Sequence, residues 1–140
     1  MLRARLLRVI TVLFACVHNA GRSQMAAAWF NALVDPSKGR ALSAGTEPAD
    51  RVHPLVVDAM REGGLDVSSA RPQRLTPELA GSAQWLITMG CGDACPVVPG
   101  LKREDWPLDD PAHQPLPRVR AIRDEVKRRV EAFVARENLK

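Results

Sequence analysis

Aromatic side chains are scarce in this chain: its 140 residues include no tyrosine, three phenylalanines and three tryptophans. Proteins that bind single-stranded nucleic acid stack the bases on aromatic rings beside a basic groove. Much of the net charge of +4 comes from the two ends of the chain, and the C-terminal arginines are interleaved with acidic residues as on a solvated helix face. We therefore expect no nucleic-acid partner.

Long apolar runs are also absent. No stretch approaches the roughly 20 apolar residues that a membrane-spanning helix needs, so we expect no membrane association. Residues 1–15 are similar to a secretory signal, but their apolar run ends in Cys16 and His18 rather than in a small-residue cleavage site. We predict a single domain over residues 9–140. The basic extension before it, residues 1–8, is either a disordered segment or the product of a misplaced start.

The cysteine content is low and odd, with Cys16, Cys91 and Cys95 as its members. A small secreted domain normally carries an even number of cysteines, paired as disulfides. The odd number favours reduced thiols with a chemical role in a cytoplasmic protein. Cys91 and Cys95 have only Asp93 beside them and no nearby histidine, which makes a poor zinc site, so we expect no metal.

Apolar residues recur in a pattern that alternates between strands and helices. The run from Val9 to Ala15 is nearly continuous, as in a central parallel strand that is buried on both faces. The apolar spacing then predicts a helix from Ser23 towards Pro36, strands at 41–44 and 85–89, a helix between Asp50 and Gly63, and a long amphipathic helix over 119–133. This alternation predicts an α/β fold with a parallel sheet. We expect the proline-rich residues 96–117 to form a long irregular connection.

A Cys-x5-Arg pattern joins the first strand to the first helix, beginning at Cys16 and ending at Arg22. A loop that leads into a helix N-terminus directs backbone N–H groups and partial positive charge at one point, which suits a tetrahedral oxyanion. The same field favours the thiolate form of a cysteine. We interpret Cys16 as a nucleophile, Arg22 as a bidentate anion clamp, Ser23 as a hydrogen-bond donor to the sulfur and Asn19 as the residue that shapes the loop. The alternative is that Cys16 is only a small buried apolar residue at a strand end.

Two further features are expected near this loop. Cys91 follows another predicted strand, and the carboxyl ends of parallel strands share one edge of a sheet. An oxygen that leaves a tetrahedral oxyanion must also be protonated, which a carboxylic acid can do.

Residues 16–26, CVHNAGRSQMA, resemble the phosphate-binding loop of the low-molecular-weight protein tyrosine phosphatase superfamily, and most closely that of its arsenate reductases. Three later stretches are similar to the same enzymes: Ser43–Thr46, Cys95–Pro99 and Asp105–Pro111. The resemblance implies a three-layer α/β/α sandwich with a central, mostly parallel four-stranded sheet. It also implies an oxyanion site formed by consecutive loop residues, namely Val17, His18, Asn19, Ala20, Gly21, Arg22 and Ser23.

The arsenate reductases that this sequence resembles imply a thiol relay. In that scheme Cys16 forms an adduct with arsenate, Cys91 attacks Cys16 and releases arsenite, and Cys95 takes over the disulfide. Asp110, directly before a proline, matches the general acid of the family, with Asp109 as its near-equivalent competitor and Asp105 as a more distant one. The interval between Cys91 and Cys95 is shorter than in many relatives that use thioredoxin, so the order of the relay, and whether both thiols take part, stay open.

The resemblance implies arsenate as the substrate, with phosphate or sulfate as its mimic in the loop. We expect a cytoplasmic monomer without a bound cofactor. The reducing equivalents are expected from thioredoxin or, alternatively, from a low-molecular-weight thiol with a glutaredoxin-like protein.

The alternative function is a phosphatase that hydrolyses phosphate monoesters through a phosphocysteine, since that reaction needs only Cys16 of the three thiols. Ala112 stands where many tyrosine phosphatases of the family have a tyrosine that flanks an aromatic substrate, which disfavours phosphotyrosine. A third hypothesis is a non-enzymatic domain that binds an oxyanion. No role is predicted for His18, His53 or His113.

Overall fold

The computed structural model describes residues 9–90 and 98–140. Its helices and strands, in chain order, are β1 (Ile10–Cys16), α1 (Arg22–Leu33), β2 (Gly39–Gly45), α2 (Pro54–Glu62), α3 (Pro77–Gly81), β3 (Trp85–Thr88), β4 (Lys102–Asp105) and α4 (Leu116–Arg136). Residues 1–8 and the predicted relay residues Cys91 and Cys95 lie outside the described residues. Among the helices of the described part, none has both the length and the apolar composition that crossing a bilayer requires.

The described strands form one four-stranded sheet in the order β2-β1-β3-β4, and each neighbouring pair is parallel. Successive side chains of β1 point to opposite faces. Val12 and Phe14 pack in the larger core cluster with α1, α2 and α4, whereas Leu13 and Ala15 pack in a smaller cluster with residues of α3. The predicted three-layer α/β/α sandwich with a parallel central sheet is therefore confirmed.

The register of the sheet gathers separate chain segments at one edge. Cys16 pairs with Gly45 at the end of β2, while Ala15 pairs with Thr88 at the end of β3. Thr88 in turn pairs with Asp105, the last residue of β4. Ligand sites of open parallel sheets form at the carboxyl ends of the strands, so the loops that leave this edge are the place for a functional site.

The few aromatic residues are concentrated in the core. The Phe133 ring of α4 stands edge-on to Trp85, with the ring centroids 5.1 Å apart, and it also contacts Phe30 and Trp106. Trp106 follows β4 directly and is buried. The loop that leaves β4 is therefore anchored in the core at its first residue.

Residues 96–117 include a strand that the sequence pattern did not predict. β4 has the sequence Lys-Arg-Glu-Asp, and it is mostly exposed. It is a strand because it pairs with β3 at the edge of the sheet. Its sequence has no alternation of apolar and polar residues from which a strand could be predicted. The prediction of an irregular connection was wrong for these residues. β2 also begins earlier than predicted, at Gly39, because Gly39 pairs with Ile10 of β1.

Candidate active site

The loop of residues 16–22, which we call the oxyanion loop, turns its carbonyl groups towards the backbone of residues 46–53. The hydrogen bonds run from Thr46 N–H to Cys16 O (3.2 Å), from Glu47 N–H to Val17 O (2.8 Å), from Ala49 N–H to His18 O (2.9 Å) and from His53 N–H to Ala20 O (3.0 Å). In a trans peptide the N–H group of the next residue points the opposite way, and none of the described peptide bonds is cis. The N–H groups of Val17, His18, Asn19 and Gly21 therefore point away from residues 46–53, a direction that we call inward.

These inward N–H groups donate to no described residue. Converging backbone donors at the N-terminus of α1 form a site for an anion. The curvature of the loop depends on Asn19, which has a left-handed φ of 51°, a conformation that asparagine tolerates better than most residues. The end of β2 lies close behind the loop: a Cβ on Gly45 would lie 2.6 Å from the carbonyl oxygen of Val17.

Cys16 is held by a chain of buried hydrogen bonds. Its Sγ lies 2.9 Å from Ser23 Oγ, which accepts a hydrogen bond from Asn19 Nδ2 at 2.7 Å. The backbone N–H of Gln73 donates to Asn19 Oδ1 at 2.9 Å, which fixes the orientation of the amide. Because Asn19 donates to Ser23, the hydroxyl proton of Ser23 is available for the sulfur. A hydrogen bond of that kind stabilises a thiolate.

The Arg22 side chain is buried and only partly satisfied. Its Nη1 donates to the carbonyl oxygen of Leu108 at 3.1 Å, and Nη2 lies 3.6 Å from Asp110 Oδ2. Its Nε has no hydrogen-bond partner among the described residues. A buried donor without a partner costs about 1–3 kcal/mol. The unpaired Nε thus marks a position for an acceptor beside the oxyanion loop.

The end of the β3 segment lies against the same guanidinium group. A Cβ on Gly90 would lie only 2.5 Å from Arg22 Nη1, and Gly90 has a φ of 104°. Only glycine combines that backbone conformation with such a close approach. Gly90 is the last described residue before Cys91 and Cys95.

The acid loop, residues 107–115, lies over the oxyanion loop. Pro111 is the nearest part of it, since a Cβ on Gly21 would be 2.6 Å from Pro111 Cγ. Asp110 is half-exposed, and its Oδ1 accepts a hydrogen bond from the N–H of Ala112 at 2.9 Å. The other carboxylate oxygen is the one that approaches Arg22.

The two other candidate acids face different partners. Asp109 forms an ion pair with Arg118 of α4. Asp105 accepts a hydrogen bond from Thr88 Oγ1 at 2.8 Å. Of the three carboxylates in the prediction, Asp110 is thus the one that the structure brings to Arg22.

The three histidines are close enough to interact electrostatically, since His113 and His18 both act on His53. His18 is exposed, and its Nδ1 is 2.9 Å from the carbonyl oxygen of Glu47. His53 is half-buried, and burial lowers its pKa from the ordinary value near 6.5. The Asp110 carboxylate opposes this shift, whereas His113 and His18 add to it. No group of three His, Cys, Asp or Glu side chains in the described part of the chain is arranged to hold a metal ion.

A family model for low molecular weight phosphotyrosine protein phosphatases matches residues 11–140. The chain belongs to this family. The resemblance that the sequence motifs predicted is therefore confirmed.

Relatives within the phosphatase family carry the name arsenate reductase. Arsenate reductase 2 of Staphylococcus haemolyticus is 34% identical over 130 residues, which cover 90% of this chain and 97% of that protein. A solved thioredoxin-dependent arsenate reductase of Corynebacterium glutamicum is 39% identical to this chain, with a TM-score of 0.77. The match covers 89% of this chain and 60% of the length of that protein. A solved arsenate reductase in the phosphate-binding state is 34% identical with a TM-score of 0.78, covering 91% of this chain and 98% of that one.

Three contributors to this family site were missed by sequence reasoning. Gln73 supports Asn19 through its backbone N–H, which no side-chain pattern reveals. Gly90 contacts Arg22, and His53 lies beside the acid loop. A glycine directly after a short apolar strand was the available signal for Gly90.

Proposed function

We propose that this chain is an arsenate reductase, which converts arsenate to arsenite with electrons from thiols. The observation that carries the proposal is the buried, unpaired Nε of Arg22 beside a loop of inward-pointing N–H groups. This set of donors lacks an anionic acceptor, and a tetrahedral oxyanion supplies one. Among such oxyanions, arsenate is favoured because relatives at 34% and 39% identity are named arsenate reductases. The solved relative in the phosphate-binding state supports phosphate as a mimic of arsenate.

The first step takes place on the Cys16 thiolate, which Ser23 holds in position. The thiolate attacks arsenic, so that a sulfur–arsenic bond forms and an arsenic–oxygen bond breaks. The group that departs is a hydroxyl group of the arsenate, which takes a proton from the Asp110 carboxyl group and leaves as water. Arg22 and the loop N–H groups stabilise the charge of the remaining oxygens.

The second step reduces the arsenic. The Cys91 thiolate attacks the sulfur of Cys16, a disulfide forms, and the electron pair of the sulfur–arsenic bond stays with arsenic, which departs as arsenite. Cys95 then attacks Cys91 and frees Cys16. Chain connectivity supports the attack by Cys91, because it directly follows Gly90, whose backbone lies against Arg22. Consecutive Cα atoms are only about 3.8 Å apart.

The Cys91–Cys95 disulfide requires reduction after each turnover, and thioredoxin is the donor that we propose. The Corynebacterium glutamicum relative is named for that dependence. A low-molecular-weight thiol with a glutaredoxin-like protein is the alternative. Either donor works where thiols stay reduced, which supports a cytoplasmic location in this proposal. A monomeric domain is favoured because Val9 and Leu55 are the only exposed large apolar residues of the described chain.

The test measures arsenite formation with thioredoxin, thioredoxin reductase and NADPH. We expect Cys91→Ser and Cys95→Ser each to lower arsenate turnover by about 100-fold or more, because each interrupts the relay. Hydrolysis of phenyl phosphate, which needs only Cys16 of the thiols, should stay within about two-fold of the parent. Unchanged arsenate turnover in Cys91→Ser would refute the relay, and mass mapping of the trapped disulfide establishes the order of the cysteines.

A phosphatase is the second candidate function. The grouping of Cys16, Arg22 and Asp110 suits phosphate monoesters as well as arsenate, and the family model carries a phosphatase description. Rapid phenyl phosphate hydrolysis without arsenite formation under any of the reductants would select this function.

A further inference from the structure

His53 lies where the oxyanion loop and the acid loop meet. Its backbone N–H donates to the carbonyl oxygen of Ala20 in the oxyanion loop at 3.0 Å. A Cβ on Gly21 would lie 3.8 Å from His53 Cδ2 and 2.6 Å from Pro111 Cγ of the acid loop. One small region is therefore shared by the imidazole and by both loops.

The His53 side chain has no evident structural task. His53 occupies the N-cap position of α2, but its side chain makes no capping hydrogen bond. The ring also has no hydrogen bond to any other side chain of the described residues, and it is half-buried. An imidazole in this setting is free to act on a neighbouring carboxylate.

Charged and titratable groups face His53 from both loops. Burial lowers the pKa of His53, the Asp110 carboxylate acts in the opposite direction, and His113 and His18 lower it further. The ring is therefore neutral at neutral pH. While the ring is neutral, Arg22 is the cation nearest to Asp110, with 3.6 Å between Nη2 and Oδ2. A protonated ring would compete with Arg22 for the same carboxylate.

We propose that His53 is a positioning residue for Asp110: the neutral imidazole packs at the junction of the two loops and keeps the Asp110 carboxyl group directed at Arg22 and the bound oxyanion. Protonation of the ring draws the carboxylate away from Arg22 and withholds the general acid. The proposal rests on the role of Asp110 in the proposed function. His53 acts through Asp110 and binds no oxyanion itself.

The test is a double-mutant cycle of His53→Asn with Asp110→Asn, with turnover measured from about pH 5 to pH 8, the range in which histidine titrates. In the parent, His53→Asn is expected to lower kcat by about 10-fold. This is only part of the rate enhancement that general acid catalysis supplies. The KM for arsenate should be nearly unchanged. The substitution should also remove the decline of kcat at acidic pH that comes from protonation of the ring. In the Asp110→Asn background the same substitution should change kcat by less than about two-fold, because no acid is left to position.

His113→Asn is the matched control. It removes an imidazole that also faces this region, at a residue with a φ of 62° where asparagine is tolerated. This variant should retain the acid-side decline of kcat. If His53→Asn does not fold, as judged by thermal unfolding, His53→Gln takes its place in the cycle. The proposal would be overturned if the effects of the two substitutions on kcat are multiplicative. It would also be overturned if kcat declines equally at acidic pH in His53→Asn and in the parent.

Phenyl phosphate separates the failure of this proposal from the failure of the proposed function. Its poor leaving group needs the Asp110 proton, but its hydrolysis needs no relay cysteine. If the parent does not reduce arsenate, the cycle on phenyl phosphate still decides whether His53 acts through Asp110. If arsenate is reduced and the cycle is multiplicative with both substrates, the reductase function stands and the role of His53 falls.

Discussion

The thiol of Cys16 depends on residues that are themselves fully satisfied. Gln73 supports the Asn19 amide, Asn19 donates to Ser23, and Ser23 leaves its proton for the sulfur. Buried polar chains in which each member has a partner are rigid. The sulfur is therefore held at one position relative to the N–H groups of the oxyanion loop before any ligand binds.

The position of the Arg22 guanidinium depends on Gly90, a residue without a side chain. Gly90→Ala would place a methyl group 2.5 Å from Arg22 Nη1. We expect the guanidinium to be displaced and the affinity for phosphate, measured by calorimetry, to fall by about 10-fold, as for the loss of a charged hydrogen bond. The variant should also lose about 1–2 kcal/mol of unfolding free energy, because alanine is unfavourable at positive φ.

Gly100→Ala is the control for this substitution. Gly100 also has a positive φ, of 81°, but no atom lies within 4 Å of the added Cβ. Its stability should fall by a similar amount while its phosphate affinity stays at the parent value. Equal loss of phosphate affinity in both variants would show that backbone conformation, and not contact with Arg22, determines the effect.

At the scale of elements, the oxyanion loop takes its shape from the neighbouring segments as well as from its own sequence. Residues 46–53, which follow β2, bind the outward carbonyl groups of the loop. Gly45 at the end of β2 forms an isolated bridge with Arg74, next to the Gln73 that supports Asn19. The strand–loop–helix unit is thus completed by two segments that are distant in sequence.

Gly45→Ala tests this support. The added Cβ would lie 2.6 Å from the carbonyl oxygen of Val17 and 2.9 Å from the backbone nitrogen of Asn19. Backbone atoms cannot move aside cheaply, so we expect a loss of about 1–3 kcal/mol in unfolding free energy. Phosphate binding should weaken in parallel. Gly81→Ala, with no atom within 4 Å of its Cβ, should change stability by no more than about 0.5 kcal/mol, and a similar loss in both would argue against the contact.

At the scale of the whole molecule, the sheet and its aromatic core bring the acid loop over the oxyanion loop. Trp106, directly before the acid loop, is buried in the core, and Asp109 within the loop pairs with Arg118 in the first turn of α4. Leu108 accepts the hydrogen bond from Arg22 between these two anchors. The placement of Asp110 is therefore a property of the folded chain as a whole.

The lowered pKa of His53 makes stability depend on pH. The unfolded chain binds a proton at this histidine more readily than the native protein does. The contribution of His53 to the stability of the native state is therefore fully present above the ordinary histidine pKa near 6.5. It is lost as the pH falls through the lower pKa that His53 has in the native protein. We expect the Tm of the parent to decrease from about pH 8 to pH 5 by more than that of His53→Asn.

The carboxyl groups do not obscure this comparison. The pKa values of Asp35, Glu62 and Asp66 are lowered, mainly by side-chain hydrogen bonds from Ser37, Arg120 and Ser68. The contributions of these carboxyl groups to stability are lost only below their ordinary pKa values of 3.8 to 4.5, which lie outside the pH range used for His53. Identical pH dependence of Tm in the parent and in His53→Asn would contradict the prediction.

Sequence reasoning succeeded where structure is encoded locally. The apolar run of β1, the helix after Ser23 and the family motif predicted the parallel sheet and the resemblance to arsenate reductases, and both are confirmed. It failed at β4, whose charged residues become a strand only by pairing with β3. The assignments of Cys91 and Cys95 stay predictions.

The sequence by itself determined the thiol, the arginine and the polar turn between β1 and α1, which we propose binds the oxyanion, because a strand, a short polar loop and a helix start are set by neighbouring residues. Only the tertiary structure decided which distant groups reach that turn. Gly90 meets Arg22, Asp110 rather than Asp109 approaches it, and His53 lies between the two loops. These contacts follow from the strand order β2-β1-β3-β4, which brings remote loops to one edge and which no local pattern encodes.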